Sequence, residues 1–238
     1  MAMPRTLTLC LCLSLALPAF AQQNIDKVNG AITAEAGQRY GTLETVNGSI
    51  RIEAGAQTGK AETVNGSIRV ESDAQSGALE TVNGSITVAA NARTGKLETV
   101  NGAIRVESGV AIGGDVSTVN GSVFIDRGGA VAGAVETVNG SIGLVNTTVS
   151  GGIETVSGDV TVGVGSHVRG GLVYRKPRQW LSINQRRLPR VVIGPNARVD
   201  GPMVFEREVT LYVHDTAQTG PITGAQATRF STPTPPAK

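Results

Sequence analysis

Short alternations of apolar and polar residues run through most of this chain, and glycine interrupts them at a fixed interval. Ser-Ile-Arg-Val-Glu at residues 67–71 is one such stretch. Strict alternation predicts a strand with one buried face. The triplet Val-Asn-Gly begins at Val28, Val46, Val64, Val82, Val100, Val119 and Val138, and Val-Ser-Gly follows at Val156. Successive triplets lie 18 or 19 residues apart. That period is too short for helical repeats, whose units need more than about 30 residues. Asn-Gly is a turn signal, and so much glycine and β-branched sequence opposes helix formation.

An 18-residue unit fits either a two-stranded hairpin or one turn of a parallel β-helix. A third stretch decides between them. Ala56-Gln-Thr-Gly, Ala74-Gln-Ser-Gly, Ala92-Arg-Thr-Gly and Val131-Ala-Gly look like a third short side with its own inward Ala or Val. Three sides make a triangular coil. The chain is therefore expected to be all-β, a single-stranded, right-handed parallel β-helix or solenoid with coils about 4.8 Å apart. Equivalent residues then stack. Asn29, Asn47, Asn65, Asn83, Asn101, Asn120 and Asn139 should form an amide ladder. Thr45, Thr63, Thr81, Thr99, Thr118, Thr137 and Thr155 should form a second ladder, and Ile50, Ile68, Ile86, Ile104, Val123 and Ile142 an interior stack.

The pattern is regular over residues 22–168 and looser over 169–230, where Ser166-His-Val-Arg-Gly-Gly-Leu, Asn196-Ala-Arg-Val-Asp-Gly-Pro-Met and Thr216-Ala-Gln-Thr-Gly-Pro-Ile share a pattern. Strands are expected at residues 191–193 and 209–213, with an insertion at 174–190. About ten coils would make a rod roughly 50 Å long. The Pro- and Thr-rich tail at 231–238 reads as disordered.

Residues 1–21 read as a secretory signal peptide: a positive start at Arg5, an apolar stretch over residues 7–17, and Ala19-Phe20-Ala21 as the cleavage site. The apolar stretch is shorter than the roughly 20 residues a membrane span needs, so no transmembrane segment is expected after cleavage. Cys10 and Cys12 both fall in this leader. Each follows a leucine rather than the small residue that lipidation requires. Periplasm or cell surface is the expected location, without disulfides or thiolate chemistry. With 3% aromatic residues and 31 glycines, the core must be built from Val, Ile, Leu and Ala.

The Glu-Thr-Val-Asn-Gly-Ser-Ile units resemble the repeat domains of bacterial adhesin-like proteins. The Ala-x-x-Gly sides and Val192-Ile-Gly-Pro-Asn-Ala-Arg-Val-Asp-Gly are similar to bactofilin-type polymer-forming proteins. The resemblance covers residues 28–224 and implies a β-helix with a structural or surface role and no catalytic residues. Bactofilins are cytoplasmic and lack a signal peptide, which sets this chain apart from them.

Glu44, Glu62, Glu80, Glu98, Glu136 and Glu154 recur at one repeat position. Stacked carboxylates need cations or counter-charges, and Arg51, Arg69 and Arg105 are the nearby candidates. Acids outside the repeat positions, such as Asp73, Asp115, Asp126, Asp159, Asp200, Glu206 and Asp215, are scattered rather than convergent, which argues against a glycan-cleaving enzyme. His167 and His214 hold different repeat positions and are not expected to meet. The Asn-Gly-Ser sequons are explained by turn chemistry. No catalytic residue, cofactor or metal ligand set is expected.

The insertion is the main departure from the repeat. Arg169, Arg175, Lys176, Arg178, Arg186, Arg187 and Arg190 occur there with no acid among them, beside Tyr174 and Trp180, the single tryptophan. Tyr174, Arg175, Lys176, Arg178, Trp180, Arg186, Arg187 and Arg190 are accordingly the candidate partner-binding residues. Export favours an anionic envelope component over nucleic acid as that partner. Residues 22–168 hold fifteen acids and nine bases, and residues 169–238 four acids and eleven bases. An acidic body joined to a basic end suits head-to-tail self-association. The expected function is a non-catalytic structural or adhesive protein of the bacterial cell envelope.

Overall fold

The computed structural model describes residues 23–177 and 188–236. The predicted leader and part of the insertion lie outside these residues. The described chain is all-β, a parallel β-solenoid of three faces. The first face has eleven strands, from Gln23–Asn29 to Ile222–Thr223, and the second has eleven, from Ile32–Ala34 to Ala227–Phe230. The third has nine, from Gln57–Thr58 to Gln218–Thr219. There is no helix among the described residues, hence none long and apolar enough to cross a membrane.

Register is kept residue on residue. Leu79, Glu80, Thr81 and Asn83 pair with Leu97, Glu98, Thr99 and Asn101, and the next coil continues the match. The interior is a set of apolar columns. Ile50, Ile68, Ile86, Ile104, Val123 and Ile142 are buried in one continuous stack, as the repeat predicts. Beside it runs Ala34, Ile52, Val70, Val88, Val106, Ile125, Leu144, Val162, Ile193 and Val213. A triangular coil of 18 residues leaves room for little more than aliphatic side chains, which explains the scarcity of aromatics.

The polar ladders differ in kind. Each Asn amide donates to the Asn Oδ1 of the coil before it at 2.9–3.0 Å, from Asn47 to Asn139. Ser157 ends the series by donating to Asn139 Oδ1 at 2.9 Å. The threonines do not bond to one another. They point inward, and from Thr45 to Thr137 they donate to a glycine carbonyl at the corner of the preceding coil, as Thr81 does to Gly66 O at 2.9 Å, whereas Thr155 donates to Ser157 O at 3.2 Å. Such a bond lets a hydroxyl sit in an apolar core without a desolvation penalty. A second corner needs the left-handed conformation, and Gly55, Asp73, Asn91, Gly109, Gly128, Asn146 and Gly165 occupy it with φ between 43° and 74°. Only glycine, Asn and Asp take that conformation readily, so the position varies among those three residues.

On the third face the structure shifts one expectation. Val131 does not align with Ala92. It pairs with Ile112, which pairs with Thr94, and Ala92 is buried two positions before Thr94, in a column with Ala74 and Val110. Counted coil by coil, the Ala92 column continues through Val110 to Gly129, so Val131 fills the column of Thr94 instead. The segment 174–190 enters between the first and second faces, leaving after Leu172–Tyr174 and returning at Arg190–Ile193. The tail folds back along the second face: Arg190 Nη2 donates to Pro236 O at 2.7 Å, and Pro233 and Pro235 lie near Val192 and Phe230.

Candidate functional site

The predicted partner-binding residues divide into three groups. Arg178, Trp180, Arg186 and Arg187 lie outside the described residues. Tyr174 is not on the surface. It takes the place of a threonine in the inward column, pairing with Thr155 on one side and Phe205 on the other, and its hydroxyl donates to Gly158 O at 2.6 Å. Burial pushes its phenol well above the usual tyrosine range, so it remains a donor. A partner cannot reach it without opening the coil. Its position beside a basic run suggested exposure, but the period of the repeat places it inside.

Arg175 and Arg190 clamp the insertion to the rod. Arg175 pairs with Glu154 at 2.9 Å and Glu206 at 3.1 Å, and the Lys176 backbone N–H donates to Glu206 at 3.0 Å. The backbone N–H of Arg190 donates to Asp159 at 2.8 Å, and its guanidinium lies 4.9 Å from the Tyr212 ring centre. The Lys176 and Arg169 side chains are exposed.

The outer side of the first face carries two parallel rows. One is the glutamate row, in which Glu44, Glu62, Glu80 and Glu98 stack in register. The other is a valine row: Val28, Val46, Val64, Val82, Val100 and Val119 are 36–67% exposed. The expected arginines do not neutralise the glutamates. Arg51 and Arg69 lie on the second face and share Glu71 at 2.8 and 2.7 Å, while Arg105 stacks 5.5 Å from the Phe124 ring centre. Alternation sends them to a different side of the triangle. Relief comes from lysines at the preceding corner. Lys60 bridges Glu62 and Glu80 at 2.7 and 2.8 Å, and Lys96 bridges Glu80 and Glu98 at 2.7 and 3.1 Å.

Burial of Glu80 opposes ionisation, but the hydrogen bonds from Lys60 and Lys96 outweigh it and hold the carboxyl below the usual range. A carboxyl depressed in the folded state adds stability above its unfolded value, and that stability is lost as pH falls through the folded value. Glu80→Gln should therefore lower the melting temperature at pH 7 by a few degrees at most, because the bridges are partly exposed. The difference should vanish near pH 3. Thermal melts of both proteins across that range check it.

The histidines do not converge. His167, on the third face, pairs with Asp200 at 2.8 Å, and Arg198 holds the other oxygen of that carboxylate. His214, at the end of a second-face strand, bonds through Nδ1 to Thr216 Oγ1 at 2.9 Å. Among the described residues no three His, Asp or Glu side chains gather as a metal-binding group.

The ends of the rod repay equal scrutiny. At the first end Lys27 stands in register with Thr45, at the head of the threonine column, and its ammonium donates to Ala31 O at 2.8 Å. At the other end Arg229 pairs with Val213, closing an apolar column with a guanidinium that donates to His214 O at 3.3 Å. Each end thus replaces an inward residue with a cation. No signal in the repeat marks these two residues, because their significance depends on which strand pairs last.

Fold and faces together define a parallel β-solenoid with charged, apolar and capped surfaces of distinct chemistry. No protein-family model, curated protein or solved structure matches the chain.

Proposed function

We propose that this chain is a non-catalytic structural or adhesive rod of the bacterial cell envelope, and that any self-association runs side by side rather than end to end. The observation that carries this reading is the contrast between the rod's ends and its flank. Both ends place a cation at an inward position, where coil-on-coil stacking would bury it unpaired at a cost of several kcal/mol. The flank instead offers the long exposed valine row. The resemblance of the repeats to adhesin-like and polymer-forming domains supports a structural role, and the leader supports export.

Light scattering and small-angle scattering at about 50 mM and 500 mM salt test it. Side-by-side assembly should persist at high salt and raise the cross-section without lengthening the particle. Lengthening particles would overturn this mode, and a single rod at both salts would leave only the adhesive reading. A second reading, docking of an anionic envelope component by residues 174–190, draws on the acid-free charge run there and the exposed Lys176. Replacing Arg175, Lys176, Arg178, Arg186 and Arg187 with Ser separates the two: lost envelope retention with unchanged assembly favours docking.

A further inference from the structure

The glutamate row is broken at one place. Ser117 stands between Glu98 and Glu136 in register. The corner column that supplies Lys60 and Lys96 also changes there. The Leu97 N–H bonds to Asp115 O where the Leu79 N–H bonds to Lys96 O, so Asp115 takes the lysine position and reverses its charge. The next residue in that column is Ala134. Glu98 keeps Lys96, and Glu154 keeps Arg175. Glu136, between them, makes no ion pair among the described residues, and partial burial together with Glu154 and Asp115 raises its carboxyl above the usual range.

The missing side chain opens a groove of about 210 Å³. Val100, Val119, Val138 and Val156 form much of its lining, with Glu98, Glu136 and Glu154 beside them. It is the apolar row made concave, next to a carboxylate lacking its counter-ion. From Glu62 to Glu98, and again at Glu154, the rod supplies its own cations. Here the space and the charge are left open in the same coil.

We propose that this groove docks an extended basic segment of a partner protein, with a lysine or arginine seated on Glu136 and its aliphatic stem along Val100, Val119 and Val138. Long cationic side chains suit such a surface because their stems are apolar and their heads charged. An acidic or neutral partner would leave Glu136 unpaired and gain little. The inference does not depend on whether the rod assembles, since peptide binding and particle mass are measured separately.

Fluorescence anisotropy with a labelled Lys-Val-Lys-Val-Lys-Val peptide tests it, with Glu-Val-Glu-Val-Glu-Val as the control probe. Glu136→Gln should weaken binding about tenfold, as expected for loss of one charge-assisted contact. Ser117→Glu is the sharper variant. It adds negative charge but fills the groove, so it should also weaken binding about tenfold, whereas diffuse acidic attraction would make it tighter. Glu44→Gln, on the same row away from the groove, should leave affinity within about twofold. All three positions face outward, and unchanged thermal melts confirm folding. Tighter binding by Ser117→Glu, equal loss in Glu44→Gln, or no binding by the wild-type chain would each overturn the proposal. So would groove variants that abolish self-association while leaving peptide binding intact, which would assign the groove to a second copy.

Discussion

Replacing Lys27 with Thr and Arg229 with Val together should convert the protein from dispersed particles into long filaments. The particle mass should rise more than about tenfold, since a heterologous contact that does not close propagates without limit. The first-face edge strand Gln23–Asn29 has a neighbour on one side only among the described residues, and its backbone groups are a template for another strand. What stops a second rod from continuing the coil is the inward cation. Lys27 would have to be buried where Thr45 sits, and Arg229 where Val213 sits. Thr at position 27 restores the hydroxyl of the threonine column, and Val at 229 completes the aliphatic one. Electron microscopy and light scattering read the outcome directly. The single variants should assemble less, because one buried cation remains at each junction. A double variant that stays a single rod would show that some other feature closes the ends.

Gly84→Ala, like alanine at the equivalent corner glycines Gly66, Gly102, Gly121 and Gly140, is expected to be among the most damaging single substitutions in the regular coils. A Cβ at Gly84 would meet the Gly66 carbonyl oxygen at 2.0 Å. That oxygen accepts the Thr81 hydroxyl, and the same corner carries the adjoining Asn ladder. Backbone meets backbone there, so no flexible side chain can yield, and the coils must separate. The cost should be about 3 kcal/mol, at the upper end of ordinary overpacking. In a solenoid each coil contacts only its neighbours, so the damage should appear as a weakened joint that limited proteolysis cuts near residue 84. Gly113→Ala is the contrast, since its added carbon meets only Thr94 O at 3.4 Å. Denaturant melts should place that variant within about 1 kcal/mol of the parent.

The coil was legible because its signals repeat. Seven Val-Asn-Gly triplets average out the ambiguity that any one strand carries, and the interior Ile and Val positions follow from alternation alone. The destinations of the charged residues were less legible. Arg51 and Glu44 are close in sequence, yet a corner separates their faces, so proximity along the chain suggested a pair that geometry forbids. Lys60 and Lys96, at the corner before the strand, reach the glutamates instead. Tyr174 was misplaced for a related reason: a basic neighbourhood suggested surface, while its register with Thr155 puts it in the core. Lys27 and Arg229 gave no local signal at all. Their meaning lies in being last, and that is a property of pairing rather than of composition.

The shared step of every column has a consequence for how such a chain can change length. The amide ladder, the threonine-to-glycine bonds and the core stacks all advance by one coil at a time. Deleting or duplicating one whole coil within residues 43–96 would rejoin each column to its own kind and shift the far end by about 4.8 Å. A deletion that removes a large fraction of a coil would instead carry later residues onto the wrong face. Unequal recombination between near-identical coils therefore offers the gene a graduated set of rod lengths, with both capped ends and the groove at Ser117 carried along unaltered.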